Sequence, residues 1–238
     1  STVTMPSTST AIVETLYGGN NISGSIATGT IVSIEGGQVT GAVFGGSNGA
    51  YGCNNGTTYN DGEYSGTTIP TVASTQVTIN DTRENADLIA NVYAGGNLAP
   101  VSGTGNVTLV DGNIGNVYGG GRMATVGNGS VTFPINSLAT INNVYAGNDI
   151  ANDATAAATA EGSVTVQGNP NITGAVFGGG NGGAGGTVTI NGGTVTATGS
   201  DGAAGIAGTV KFADGTAYGV AAGADEANAI YKTAAAYA

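Results

Sequence analysis

The sequence predicts an all-β protein, a parallel β-helix (β-solenoid) with coils of about 25 residues. Three observations predict it. An aromatic-Gly element recurs at near-constant steps, a Thr/Val strand element recurs between its copies, and the composition suits tight stacking of short strands. Gly supplies 45 of 238 residues, against roughly 7% in an average chain. Charged residues make up 8%, against roughly 25%.

Residues 1–11 form the first element. Ser1 to Ser9 is polar, poor in Gly and alternating, which reads as an extended, non-repetitive N-terminal arm.

Residues 12–220 carry the repeats. The repeat anchors are Tyr17, Phe44, Tyr93, Tyr118, Tyr145 and Phe177, each preceded by Leu or Val and followed by Gly or Ala and then Gly, as in Val117-Tyr118-Gly119-Gly120-Gly121. Ala217-Tyr218-Gly219 is a weaker seventh copy. Successive anchors are 27, 49, 25, 27 and 32 residues apart, the second step spanning two coils. Between anchors, residues 30–34, 76–79, 106–109, 130–133, 163–166, 187–190 and 209–212 alternate apolar and polar with β-branched residues inward, as short strands do. Gly turns follow at Gly36-Gly37, Gly112, Gly168 and Gly192-Gly193, and a further apolar position at Val39, Ile114 and Ile172 precedes the next anchor.

A coil of this size cannot bury its apolar face alone. Stacked coils bury a continuous core and pair each strand with those above and below. Gly is expected where φ is positive or where one coil crowds the next, and the aromatics are expected to form a column inside the core. The handedness expected from coils of this length is right-handed. The longer segments, Tyr51 to Thr75 and Ile150 to Gly162, then become loops collected at one corner. Residues 221–238 form the last element, an Ala-rich segment that suits a short helix and that, like the arm, would cap a solenoid end or complete a neighbouring subunit. A membrane barrel needs strands of roughly 9–11 residues with aromatic girdles, and a β-sandwich has no reason to repeat an aromatic-Gly-Gly element at even steps.

Composition excludes several functions. There is no His and no Trp, Cys53 stands alone, and four basic residues (Arg83, Arg122, Lys211, Lys232) face fifteen acidic ones for a net charge of −11. Nucleic acid requires a cationic surface that this chain lacks. Transition-metal sites and His-dependent nucleophiles lack their ligands and bases, so no enzyme activity, cofactor or metal is expected. The acidic groups Asp61/Glu63, Asp81/Glu84/Asp87 and Asp149/Asp153 read as solvated turn residues, with calcium at Asp61/Glu63 or Asp149/Asp153 as the alternative. The Gly-rich stretch 178–186 lacks a phosphate loop's Lys-Ser/Thr and reads as a turn. No run of apolar residues is long enough for a spanning helix. A chain opening at Ser1 with a low-charge, Gly/Thr/Asn/Ser-rich surface reads as exported, with a leader removed.

In the alternation of Val117-Tyr118-Gly119-Gly120-Gly121 and Gly180-Asn181-Gly182 with Thr-Val-Thr-Ile strands, residues 12 to 220 resemble the Gly-rich, repetitive β-helix proteins of bacterial surfaces, an adhesin-like family. The resemblance implies an extracellular or cell-surface setting. The expected function is a non-enzymatic structural protein, either a self-assembling filament or fimbria-like subunit joined end to end or the shaft of a surface adhesin. Its expected partners are other copies of itself and, for an adhesin, glycans or a host surface. A second reading is a carbohydrate-binding or carbohydrate-active module in which Tyr51, Tyr59 and Tyr64 of the 51–75 loop stack on sugars. A third is ice binding through Thr-x-Thr pairs such as Thr187/Thr189 and Thr194/Thr196, an array that Ser33, Asn106 and Ser130 interrupt.

Overall fold

A computed structural model of the chain describes residues 1–49, 70–150, 162–181 and 187–191, together with the backbone of 52–53, 59–60, 206–207, 209–212 and 217–219. Every regular element among the described residues is a strand, and nearly all pairing is parallel. The Ala-rich segment and the inserts at 61–69 and 151–161 lie outside the described residues.

The first sheet runs Thr2–Met5, Thr30–Ile34, Thr75–Asn80, Val101–Asp111, Val126–Phe133, Ser163–Val166, Thr187–Ile190 and Thr209–Phe212, and ends on Ala217–Gly219. The second runs Ile12–Tyr17, Gln38–Phe44, Leu88–Tyr93, Asn113–Tyr118, Thr140–Tyr145, Val176–Phe177 and Ile206–Ala207. Spatial order follows chain order in both, so each pass of the chain lays one strand on each sheet and pairs with the pass before it. Thr2–Met5 belongs to this series, in register with Ile31–Ile34.

Register follows from the period of two in each strand, since a slip of one residue would turn every Val outward. Val3, Val32, Val77, Val107, Val131, Val164, Val188 and Val210 align across the first sheet. Leu16, Val43, Val92, Val117, Val144 and Val176 align across the second. As far as Val188 these two ranks face each other, with Ile34, Ile79, Leu109 and Phe133 beside the first and Val39, Ile114, Ile141 and Ile172 beside the second, in one buried core. The apolar positions expected at Val39, Ile114 and Ile172 are therefore core positions.

A third, smaller face is a feature the periodicity did not reveal. Ser25–Ile26 pairs with Thr71–Val72, which meets Val101, which in turn aligns with Val126. Val72, Val101 and Val126 form their own buried cluster with Ile26 against it. Val101–Asp111 is eleven residues long because it runs through this face into the first sheet, with a register irregularity between Val101 and Thr104.

Turns between the two sheets are tight where Gly takes positive φ, at Gly37 (72°) and Gly112 (127°). Two coils carry loops at this corner, residues 81–87 and 134–139, so insertions are not confined to the corner after the aromatic. Arg83 fixes the first of these loops. Its Nε donates to the buried Asp81 Oδ1 at 2.7 Å and its Nη2 to the Gly37 carbonyl of the preceding coil. Of the acidic group at 81–87, Asp81 is thus a loop anchor, and Glu84 and Asp87 are exposed.

Candidate functional site

Parallel, in-register coils place the six anchor aromatics above one another at about the 4.8 Å inter-strand spacing. Tyr17, Phe44, Tyr93, Tyr118, Tyr145 and Phe177 form an unbroken stack with centroid distances of 4.9, 4.6, 4.8, 4.7 and 4.7 Å and planes within 8° of parallel. The column does not lie inside the core between the sheets. Consecutive residues of a strand point to opposite faces, and the preceding Val already points inward. Phe44, Tyr93 and Tyr118 instead form a separate buried cluster on the other side of the second sheet, with Tyr17 and Tyr145 packed against it.

The Gly-Gly corner after each aromatic is set by crowding. The Gly two places after the aromatic has no room for a side chain: a Cβ on Gly46 would lie 2.8 Å from Gly96 N, one on Gly95 2.8 Å from Gly121 N, and one on Gly147 2.7 Å from Gly180 N. None of these three takes positive φ. Two buried threonines tie the same corner to the first sheet, Thr30 Oγ1 donating to Gly45 O and Thr75 Oγ1 to Ala94 O, each at 2.5 Å.

A polar row accompanies the column. The residue four places after each aromatic is Asn21, Asn48, Asn97, Arg122, Asp149 and Asn181, and each stacks on the next through the corner backbone. Asn48 Nδ2 donates to Asn21 Oδ1 at 2.8 Å, Asn97 Nδ2 to Asn48 Oδ1 at 3.0 Å and Arg122 Nη1 to Asn97 Oδ1 at 3.2 Å. Asp149 accepts from Asn181 Nδ2 at 3.2 Å and from the Tyr93 hydroxyl at 2.8 Å. A second amide ladder stands two residues before the aromatics, Asn116 Nδ2 donating to Asn91 Oδ1 (3.1 Å) and Asn143 Nδ2 to Asn116 Oδ1 (3.0 Å). The offset of +4 from each aromatic, and of −2 from Tyr93, Tyr118 and Tyr145, is the sequence signal that would have found both ladders.

Burial first, and then the Asp149 carboxylate, push the Tyr93 and Tyr118 hydroxyls far above the ordinary tyrosine range. Burial also raises Tyr145, again with Asp149 nearby. A raised pKa favours the neutral phenol in the folded state. The resulting stability is complete below about pH 10, the ordinary tyrosine value, and declines as pH rises above it while the unfolded chain ionises. Spectrophotometric titration is expected to show Tyr93 and Tyr118 still neutral at pH 11, released only as the fold is lost. Two phenols fewer resisting titration in Tyr93→Phe/Tyr118→Phe would locate the effect, and an unchanged count would refute it.

Chemically, the column is a device for joining coils. Stacked rings cover one another's faces, so the interior rings of this column present no ring face to a sugar. Of the tyrosines expected to bind glycans, Tyr51 and Tyr64 lie outside the described residues. Tyr59 sits in a two-residue strand whose backbone pairs antiparallel with Gly52–Cys53. Among the described residues, no three of His, Cys, Asp and Glu are placed to hold a metal ion, and no helix is long and apolar enough to cross a membrane. On the outer face of the first sheet, Thr78, Thr108, Thr132, Thr165 and Thr189 align as one continuous hydroxyl rank after Ser33. Its companion rank is Ile31, Gln76, Asn106, Ser130, Ser163 and Thr187, so a regular two-rank array does not form. Gln76 donates across to Thr108 at 3.1 Å and Ser130 to Asn106 at 2.6 Å. Thr194 and Thr196 lie outside the described residues.

The N-terminal end has a different chemistry. Thr2–Met5 and Ile12–Tyr17 each pair on one side only among the described residues. Ile31 N donates to Ser1 O and Glu35 N to Met5 O, both at 2.8 Å, so the alternation of a parallel ladder turns the N–H and C=O groups of Thr2 and Thr4 outward. Val3 and Val13 are only partly buried and Ile12 is 72% exposed. Neither strand carries Lys or Pro, and Glu14 is the single charge on the two. These are the features with which exposed edges are otherwise protected.

Fold and corner together define an all-β protein of two parallel, in-register sheets, the arrangement of a parallel β-helix. No family model, curated protein or solved structure matches the chain.

Proposed function

We propose that this chain is a non-enzymatic, extracellular structural protein: a right-handed solenoid with coils of about 25 residues that assembles end to end into a filament or forms the shaft of a surface adhesin. One observation carries the reading. The edge formed by Thr2–Met5 and Ile12–Tyr17 continues the register of the whole stack and carries almost none of the charge or Pro that keeps an edge monomeric. Such an edge is a template for the matching end of another solenoid. The column, the amide ladders and the Gly-Gly corners support the same reading, because each repeats from coil to coil. The resemblance to Gly-rich surface β-helices supports the extracellular setting.

Electron microscopy of the purified chain at micromolar concentration is expected to show filaments with an axial repeat on the order of 40 Å, from about eight coils at roughly 4.8 Å each. Deletion of residues 1–9 removes the first strand and is expected to abolish them, as is deletion of 224–238. Unchanged polymer after both deletions would overturn assembly through the terminal segments.

A further inference from the structure

We propose, building on the end-to-end reading above, that the two ends of the solenoid are not equivalent: residues 217–219 occupy the edge that the Thr2–Met5 strand of a second copy takes in the polymer, so that growth is an exchange of strands. The observation is the backbone pairing at the end of the first sheet. Thr209–Phe212 pairs in parallel with Thr187–Ile190 on one side. On its other side Ala217–Gly219 runs antiparallel, with Thr209 opposite Gly219, Val210 opposite Tyr218 and Lys211 opposite Ala217. Among the described residues this is the sole antiparallel partner in that sheet. A short reversed strand blunts an edge and stops a parallel stack from propagating.

The register identifies the competing occupant. Following the pairs through the sheet, Thr2-Val3-Thr4-Met5 holds the same positions as Thr209-Val210-Lys211-Phe212. In the second sheet Leu16-Tyr17 holds the positions of Ile206-Ala207. A second copy set on this end therefore adds a parallel strand to both sheets at once and keeps the alternation in each. The 217–219 strand covers the first sheet alone, and Ile206–Ala207 pairs on one side only among the described residues. Two strands in parallel register against one three-residue antiparallel strand favour the incoming copy once it is present at sufficient concentration. The partner is thus a copy of this chain, presenting its N-terminal edge.

Two variants test the exchange. A217P/Y218P/G219P removes the donors of the reversed strand and leaves the rest of the C-terminal segment in place. It is expected to lower the critical concentration for polymer about ten-fold, the change produced by removing about 1.4 kcal/mol of competition. Thr4→Pro removes an N–H that points away from the Thr30–Ile34 strand and so spares the ladder within the chain. It is expected to keep the wild-type circular dichroism and melting curve and to block growth in both backgrounds. A synthetic peptide of residues 1–9, added in excess to the unaltered chain, is expected to cap growing ends and stop elongation, a readout that needs no variant to fold. Polymer from the wild type with an unchanged or higher critical concentration in the triple variant, or elongation indifferent to the peptide, would overturn the exchange and leave end-to-end assembly standing. No polymer from either the wild type or the triple variant at any concentration would overturn both.

Discussion

Tyr118→Ala is expected to lower the unfolding free energy by about 3–5 kcal/mol, the range for truncating a fully buried large aromatic. Tyr118 is 4% exposed and sits mid-column, stacked on Tyr93 at 4.8 Å and on Tyr145 at 4.7 Å. The substitution removes two stacked contacts, worth about 0.5–1.5 kcal/mol each beyond area burial, and opens a gap that rigid strands on either side cannot close. Tyr118→Phe keeps the stack, as Phe44 does between Tyr17 and Tyr93, and is expected to cost about 1 kcal/mol or less, the scale of one hydroxyl interaction. Tyr17→Ala, at the end of the column and only half-buried, is expected to fall between the two. Since backbone pairing in the two sheets joins each coil only to the coils on either side, the damage is local: amide exchange should accelerate in Leu88–Tyr93, Asn113–Tyr118 and Thr140–Tyr145 before it does in Thr30–Ile34. A Tyr118→Ala chain that melts within a degree of wild type would show that the column carries no stability.

The second large effect is at the Gly two places after the aromatic. Gly147→Ala places a methyl 2.7 Å from Gly180 N and 3.0 Å from Gly180 Cα. Both contacts are with backbone, so no side chain can rotate away, and the coils must separate. Overpacking of this kind costs about 1–3 kcal/mol, reduced by the roughly 0.4–1 kcal/mol that Gly→Ala gains by restricting the unfolded chain. A net loss of about 1 kcal/mol is expected for Ala, rising steeply for Val, and denaturant titration reads it directly. An Ala variant as stable as the parent would mean that the coils are not packed as closely as this corner requires.

Much of the fold is legible in the sequence because it is written in repeats. The Val ranks, the strand positions and the aromatic steps are all properties of spacing, and spacing survives in a one-dimensional record. Coil-to-coil pairing of Thr30–Ile34 with Thr75–Asn80 needed only the assumption that like segments stack. The third face was harder to see. Ile26, Val72, Val101 and Val126 are single apolar residues in polar surroundings, and only the turn that brings them together gives them a common partner. The aromatic column was legible as a column but misplaced, because the sequence ranks Val92 and Tyr93 as equally apolar while the strand sends them to opposite faces.

The candidate site divides in the same way. The polar row from Asn21 to Asn181 is present in the sequence at a constant offset of four from the aromatic. That like stacks on like follows from the sequence, since periodic hydrophobic and Gly positions admit few other ways to bury the apolar face. The folded arrangement was needed to show which Gly are required by crowding, that Asp149 meets Tyr93 from 56 residues away, and that the reversed 217–219 strand occupies the edge of Thr209–Phe212 while, among the described residues, Thr2–Met5 pairs on one side alone. Those facts depend on distances between backbones of different coils, which no local pattern records.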